Sequence, residues 1–316
     1  MRLFCTTRNT IRYLANVVFV FLLIAGAAAP GSGDQDRPAD TIAIANFNIQ
    51  VFGISKAGKP AVMETLGHTI TRFDIVAIQE IRDKSGTAIK DLEKQVDDLG
   101  RDYNVVLGPR LGRTSSKEQY AYMYRADTLD FITSYTFDDS TEDVFHREPF
   151  IAQFKAKGGD FSFVLITIHT DPDEATSEIN ALPAVMADAR THFPDESHFL
   201  ILGDLNADCS YYDEEETSSE LRSDDYQWLI TNAMDTNLAR SQCTYDRIIM
   251  TSETAPYATG HANVFRFDTE FGLSAKQAKA VSDHYPVYAV FASSPSEGKN
   301  PGDSGCYIQS TACIRD

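Results

Sequence analysis

From Thr41 to Ile49 apolar residues recur through Ile42, Ile44 and Phe47, which predicts a half-buried strand ending at the polar pair Asn48 and Gln50. Pro60 then stands where a first helical turn begins, and Val62, Met63, Leu66 and Ile70 follow at three- and four-residue spacing, which predicts a helix. Asp74 to Ile78 reads as the next strand and delivers Gln79 and Glu80 at its end. The alternation continues. A helix is expected from Thr87 to Leu99, strands near Tyr103 to Leu107, Tyr120 to Tyr124, Leu129 to Phe137 and Phe161 to Ile168, and a helix from Asp173 to Thr191. A strand from His198 to Leu202 runs into Gly203-Asp204-Leu205-Asn206, and late strands at Tyr245 to Met250 and Tyr285 to Phe291 flank a looser stretch that includes Glu253 to Leu273. Polar residues sit repeatedly where apolar strands stop, and sheet ends are where α/β proteins build sites.

The first thirty residues have a different pattern. Arg2, Arg8 and Arg12 precede an apolar run from Tyr13 to Ala25, followed by Ala27, Ala28 and Ala29, the layout of a secretory signal peptide over residues 1–29. The run is shorter than the roughly 20 residues that a membrane span needs. One domain is expected over residues 41–292, with a polar tail over 293–316 rich in Ser, Gly and Pro.

Removing three arginines and no acid takes the formal charge from -18 to about -21. A chain so acidic cannot bind nucleic acid through a broad basic surface, because lysine and arginine normally supply that affinity. Any such chemistry must lean on divalent cations and a few local arginines. Of five cysteines, Cys5 lies in the leader, and four in an exported chain read as two disulfides. Three pairings are possible, and the sequential one, Cys209 with Cys243 and Cys306 with Cys313, is taken as the expectation.

Cutting a phosphodiester requires an activated water, charge stabilisation on phosphoryl oxygens and a proton for the leaving alkoxide. Histidines with carboxylate partners can share the acid and base roles near neutrality. Oxygen ligands from Glu, Asp and Asn suit Mg²⁺ or Mn²⁺. Six motifs supply these groups in order: Asn48 in Phe-Asn-Ile-Gln, Gln79-Glu80, His169, Gly203-Asp204-Leu205-Asn206, Tyr245-Asp246-Arg247 and Ser282-Asp283-His284-Tyr285-Pro286.

This ordered set resembles the endonuclease/exonuclease/phosphatase superfamily. Leu111-Gly112-Arg113 with Lys117-Glu118, Arg147-Glu148-Pro149, Asn206 to Tyr211, Gln227 to Ile230 and Cys243 to Arg247 look like the deoxyribonuclease I family in particular, over about Ile42 to Phe291. The resemblance implies an α/β (α+β) fold, a four-layer sandwich of two mixed β-sheets flanked by helices. It implies a DNA endonuclease, mainly on duplex, leaving 5′-phosphates. Carried over position by position, His169 is expected to pair with Asp246 and His284 with Glu118, with the choice of acid and base left open. Glu80, Asn48, Asp204, Asn206 and Asp283 are expected to hold the metal and the phosphate. Arg82, Arg113, Lys117 and Arg147 are expected to meet DNA. The remaining histidines, His68, His146, His192, His198 and His261, carry no motif partner and read as structural or exposed.

The chain also departs from the family. Ser116 replaces an aromatic residue that packs on a sugar, and Gln50 replaces a basic residue, so weaker affinity for duplex DNA is expected. Asp139, Asp143, the Phe145 carbonyl and Glu148 match a structural calcium site. A second site keeps Asp235, but Asn237, Ala239 and Ser241 replace its usual hydroxyl-bearing residues. The apolar residues around Leu107 match poorly those that bind actin in some relatives, so no actin binding is expected. A monomer without stable membrane association is expected once the leader is removed. The rival reading from the same superfamily is a secreted phosphodiesterase acting on a phospholipid or phosphoinositide, against which no apolar hairpin suited to a lipid surface occurs.

Overall fold

The structure, a computed structural model, describes residues 37–239 and 241–295. The leader, Cys306, Cys313 and nearly all of the polar tail lie outside the described residues. Among those described, no helix is long and apolar enough to cross a membrane.

Two six-stranded sheets form the centre. The first contains β1 (Thr41–Phe52), β2 (Ile75–Ile81), β3 (Tyr103–Leu107), β4 (Gln119–Arg125), β11 (Ala258–Val264) and β12 (Val287–Ala292), in the order β11-β12-β1-β2-β4-β3. The second contains β5 (Leu129–Thr136), β6 (Phe150–Ala156), β7 (Ser162–His169), β8 (Phe199–Asp204), β9 (Tyr226–Trp228) and β10 (Asp246–Thr251), in the order β5-β6-β7-β8-β10-β9. Each sheet is mixed, with β1 parallel to β2, β7 parallel to β8 and the other pairs antiparallel.

Three apolar layers hold the sheets and helices together. Between the sheets, Ile42, Ile44 and Tyr122 of the first pack with Phe154, Leu165, Leu202 and Ile248 of the second. On the outer face of the first sheet lie α2 (Pro60–Ile70), α3 (Thr87–Asp97) and α6 (Ala275–Val281), which bury Leu66, Leu92 and Ala278. On the outer face of the second sheet, α4 (Ala175–His192) buries Ile179, Leu182 and Val185. Each buried leucine, isoleucine, valine or phenylalanine among them contributes roughly 1.5–3 kcal/mol by leaving water. The result is helix, sheet, sheet, helix, the expected four-layer sandwich. Two short helices, α1 (Ile54–Ala57) and α5 (Phe267–Glu270), complete the α-helices among the described residues, and 3₁₀ turns lie at Glu220–Arg222 and Ser252–Tyr257.

The apolar pattern did not predict β6, β11 or α6. β6 opens with the buried run Phe150-Ile151-Ala152 and alternates only over its last residues, where Gln153 and Lys155 face outward between Ala152, Phe154 and Ala156, too short a stretch to stand out as a strand. β11 is an edge strand, Ala-Thr-Gly-His-Ala-Asn-Val, and its exposed polar positions gave no apolar signal. α6 is too short to show a clear period, although Ser274 and Gln277 form a reciprocal capping box at its start.

The strand period of two also builds the site. On the face between the sheets β1 presents Ile42 and Ile44 and then, two and four residues on, Asn46 and Asn48. β4 runs the other way from Tyr124, Tyr122 and Tyr120 to Glu118 just before it. β7 ends Phe163, Leu165, Thr167, His169; β8 ends Leu200, Leu202, Asp204; β10 begins with Asp246 ahead of Ile248 and Met250. Every one of these strands exchanges apolar for polar residues at the same end of the sandwich.

Candidate active site

Register fixes the centre of this edge. His169 is paired with Asp204 across the parallel β7–β8 ladder, and Asp246 with Asp204 across the antiparallel β10–β8 ladder. Gly203 allows the close approach, because a Cβ there would lie 1.8 Å from the Ile168 carbonyl oxygen. His284 enters from the segment between α6 and β12, held by a hydrogen bond from its backbone N–H to Ser282 Oγ at 3.0 Å.

Each imidazole is oriented by a carboxylate. His169 Nδ1 lies 2.8 Å from Glu118 Oε1, and His284 Nδ1 lies 2.7 Å from Asp246 Oδ2. This corrects the pairing that sequence order suggested, which joined His169 to Asp246 and His284 to Glu118. The cause is topology. β4, carrying Glu118, faces the end of β7, where the Tyr120 hydroxyl accepts the His169 N–H at 2.9 Å, while Asp246 begins β10 and meets the segment that enters β12.

With both Nδ1 atoms engaged, the two Nε2 atoms turn to one oxygen. Asp204 Oδ2 is 3.5 Å from His169 Nε2 and 3.4 Å from His284 Nε2. The two rings therefore converge on one buried carboxylate, itself 2% exposed.

The electrostatics follow from this crowding. Burial works against charge on His284, but the carboxylates of Asp204 and Asp246 prevail and raise the imidazole to about 10. Burial likewise opposes charge on His169, and Glu118 raises it. Burial alone would raise Glu118, yet His169, Arg147 and Arg82 bring it down to about 2. Asp246 is pushed up to about 6 by burial, partly relieved by His284.

The oxygen-rich side adjoins these dyads. Asn48 Nδ2 donates to Asp204 Oδ2 at 2.9 Å and to Glu80 Oε1 at 3.2 Å, linking the two acids. Glu80 Oε2 accepts the Val51 N–H at 2.8 Å, and Asp283 Oδ2 accepts from Gln50 Nε2 at 2.5 Å. Asn206 is held by its N–H on Asp204 Oδ1 at 3.2 Å and by its side chain on the Thr170 carbonyl at 3.1 Å. The carboxylates of Glu80, Asp204 and Asp283 fit a hard divalent cation, and Asp283 Oδ1 is buried with no hydrogen-bond partner, whereas Asn48 turns its Nδ2 to these acids and accepts the Gln50 N–H on its Oδ1 at 2.9 Å. Asp204, Asp246 and His284 also place ligand atoms within 4.8 Å of one another. Asp246 is engaged by His284 Nδ1 and serves as its orienting partner.

Residues 45–284 match the sequence profile described as the Endonuclease/Exonuclease/phosphatase family. Deoxyribonuclease-1 of Mus musculus is 38% identical over 262 residues, covering 79% of this chain and 91% of that protein. Deoxyribonuclease-1 of Gallus gallus is 36% identical over 261 residues, covering 79% of this chain and 92% of that protein. The chain belongs to the deoxyribonuclease I family. An endonuclease/exonuclease/phosphatase of Bacteroides vulgatus shares the fold at a TM-score of 0.57 and 17% identity, covering 79% of this chain and 98% of that one.

The other family positions fall in distinct settings. Arg82 reaches the site, with Nη2 3.3 Å from Glu80, Nε 3.6 Å from Glu118 and Nη1 donating to Ser116 Oγ at 3.0 Å. Arg147 is buried, and its Nε lies 2.8 Å from Glu118 Oε1 and 2.9 Å from the His169 carbonyl oxygen. It holds the Glu118–His169 dyad. Lys117 is exposed, and Arg113 is engaged by Asp143 and Glu174. Among the expected calcium positions, Asp139 Oδ2 accepts the Phe145 N–H at 2.6 Å, Asp143 meets Arg113 at 3.3 Å, Glu148 is half-buried, and Asp235 Oδ1 accepts the Asn237 N–H at 3.3 Å. Cys209 and Cys243 form the expected disulfide.

Sequence reasoning assigned no role to three supports. Asn46 donates to Asp246 Oδ1 at 3.0 Å, and Gln79 donates to Asn46 Oδ1 at 2.6 Å and to Thr167 Oγ1 at 2.9 Å, a buried relay tying the two sheets beneath the dyads. Their signal was present as polar residues at inward-facing strand positions. The third is Lys56, buried behind Asn48. The structure gives several of the unassigned histidines local partners: His198 Nδ1 lies 2.9 Å from the Ser162 carbonyl oxygen, and His146 Nδ1 lies 3.3 Å from Asp171.

Proposed function

We propose that this protein is a secreted, divalent-cation-dependent endonuclease that hydrolyses DNA phosphodiester bonds to 5′-phosphate ends by two-histidine acid and base catalysis. The observation that carries this reading is the convergence of the His169 and His284 Nε2 atoms on Asp204 Oδ2, each ring fixed from behind by its own carboxylate. Its DNA specificity is supported by the Deoxyribonuclease-1 relatives.

A phosphate seated over Asp204 would have one imidazole on each side. One Nε2 takes a proton from water as the water oxygen attacks phosphorus. The other Nε2 donates a proton to the 3′ oxygen as the phosphorus–oxygen bond to it breaks, so the upstream fragment leaves with a 3′-hydroxyl and the downstream fragment keeps the phosphate on its 5′ oxygen. The carboxylates at Nδ1 fix each tautomer and stabilise each imidazolium. Glu80, Asn48, Asp204, Asn206 and Asp283 would hold Mg²⁺ or Mn²⁺, which when bound supplies positive charge to the phosphoryl oxygens. Arg82, Arg113 and Lys117 would meet the DNA backbone and grooves, and Arg147 would act there mainly by holding Glu118.

Asp139, Asp143, Phe145 through its carbonyl, and Glu148 would bind a structural Ca²⁺, with Asp235 at a second, less complete site. Residues 1–29 direct export and are removed, and the product acts as a monomer outside the cell, without actin or stable membrane association. Incubation of the purified protein with supercoiled plasmid, and separately with sphingomyelin, under Mg²⁺ and Ca²⁺ tests the reading. Nicking with 5′-phosphate ends is expected. Lipid turnover without DNA cleavage contradicts it.

A further inference from the structure

Behind the cation-holding side of the site, β1 leaves its ladder. Its pairing with β2 is regular to Asn48 and shifts register before Phe52. Within that interval Gln50 and Val51 adopt φ values of 42° and 50°, the left-handed region that a β-branched residue such as Val51 rarely enters. Such a conformation costs on the order of 1–3 kcal/mol per residue and persists only when its surroundings hold it. The backbone oxygens turned out of the ladder also need partners.

Lys56, in α1, supplies them. It is 8% exposed, and its Nζ donates to the Ile49 carbonyl at 2.8 Å, to the Gln50 carbonyl, and to the Val281 carbonyl at 2.9 Å. An ammonium has three donors, and all three are used. The first two acceptors follow Asn48 directly, and the third ends α6, two residues before Asp283 and three before His284. Ser282 ties the same two segments, its hydroxyl donating to the Asn48 carbonyl at 2.6 Å. Asp283 and Glu80 lie near enough for their charges to favour the ammonium against its burial.

We propose that Lys56 is a positioning residue for this site, pinning the outward bend of β1 to the end of α6 and so setting the spacing between Asn48 and Glu80 on one side and Asp283 and His284 on the other. Arginine replaces it only in part, because a planar guanidinium does not present three donors to carbonyls gathered around one point. This inference rests on the proposed phosphodiesterase reading. A displacement of about 1 Å in such a site lowers turnover on the order of 100-fold.

The test compares full-length parent, Lys56→Met and Lys56→Arg for plasmid hydrolysis, well below the melting temperature of each, and for Mn²⁺ binding by electron paramagnetic resonance with excess Ca²⁺ present. Lys56→Met is expected to lose on the order of 100-fold in kcat with KM within about threefold. Mn²⁺ affinity is expected to weaken roughly tenfold, and Lys56→Arg, which keeps the charge, to show the same losses to a lesser degree. A variant that melts lower but keeps parental kcat and Mn²⁺ affinity shows a purely structural lysine and overturns the proposal. Should Lys56→Met fail to fold, Lys56→Arg with parental kcat and Mn²⁺ affinity overturns it equally. A parent that cleaves no DNA refutes the functional reading, and the Mn²⁺ comparison still decides the role of Lys56.

Discussion

His169 Nδ1 stands 2.8 Å from Glu118 Oε1, a pairing between residues 51 positions apart that the fold makes and the order of motifs does not reveal. Residues acting as one unit lose function non-additively when removed together. In plasmid hydrolysis, Glu118→Gln added to His169→Ala is therefore expected to lower kcat little further, whereas Asp246→Asn added to His169→Ala should lower it by nearly its full separate effect. The opposite pattern would restore the pairing read from sequence.

Ser116 is exposed and accepts from Arg82 Nη1 at 3.0 Å. A Ser116→Tyr variant releases that arginine and adds a ring that can pack on a sugar. KM for duplex DNA should fall by roughly threefold to tenfold, the range of about 1 kcal/mol expected of one aromatic contact. An unchanged KM would remove Ser116 as a ground for expecting weak duplex affinity.

Glu178 is fully buried in α4, with Oε1 accepting the His146 and Asp171 N–H groups at 3.2 Å and Oε2 without a partner. Burial raises its carboxyl from 4.5 to about 7. The folded protein thus holds the proton more tightly than the unfolded chain, and stability falls as pH rises from about 4.5 to about 7. Glu178→Gln keeps an acceptor for both N–H groups and carries no charge. It should be near neutral below about pH 4.5 and more stable than the parent above about pH 7, by up to a few kcal/mol. Urea titrations across this range that show a pH-independent difference would contradict the assignment.

The Cys209–Cys243 disulfide spans a sequence separation of 34 and sits three residues from both Asn206 and Asp246. Closing a loop of that length constrains the unfolded chain by roughly 4 kcal/mol in the entropy model, less any strain. The Cys209→Ala, Cys243→Ala double variant should lose about 2–4 kcal/mol in urea unfolding, and an unaltered midpoint would contradict this.

Much of this architecture could be read in the chain because it is written in a period of two. Ile42 and Ile44 followed by Asn48, or Leu200 and Leu202 followed by Asp204, mark both the strand and the end at which it becomes polar. Helix α2 was legible from Pro60 and its apolar spacing. What could not be read were features decided by distant neighbours. Which carboxylate meets which imidazole depends on β4 facing β7 across the sandwich. β6 alternates over only its last few residues, and β11 has too few apolar residues to be seen before it is paired. Lys56 looks like any lysine in a polar loop until the carbonyls of Ile49, Gln50 and Val281 are brought around it.

The central claim is that the two imidazoles meeting at Asp204 perform the chemistry. It is tested most directly by the initial rate of supercoiled plasmid nicking under Mg²⁺ by the parent, His169→Ala and His284→Ala proteins, each shown to be folded. The account predicts a loss of at least about 100-fold in each variant, the scale of a general acid or base, with no rate in the parent once chelator is added. A folded variant of either histidine that nicks within about twofold of the parent would contradict it.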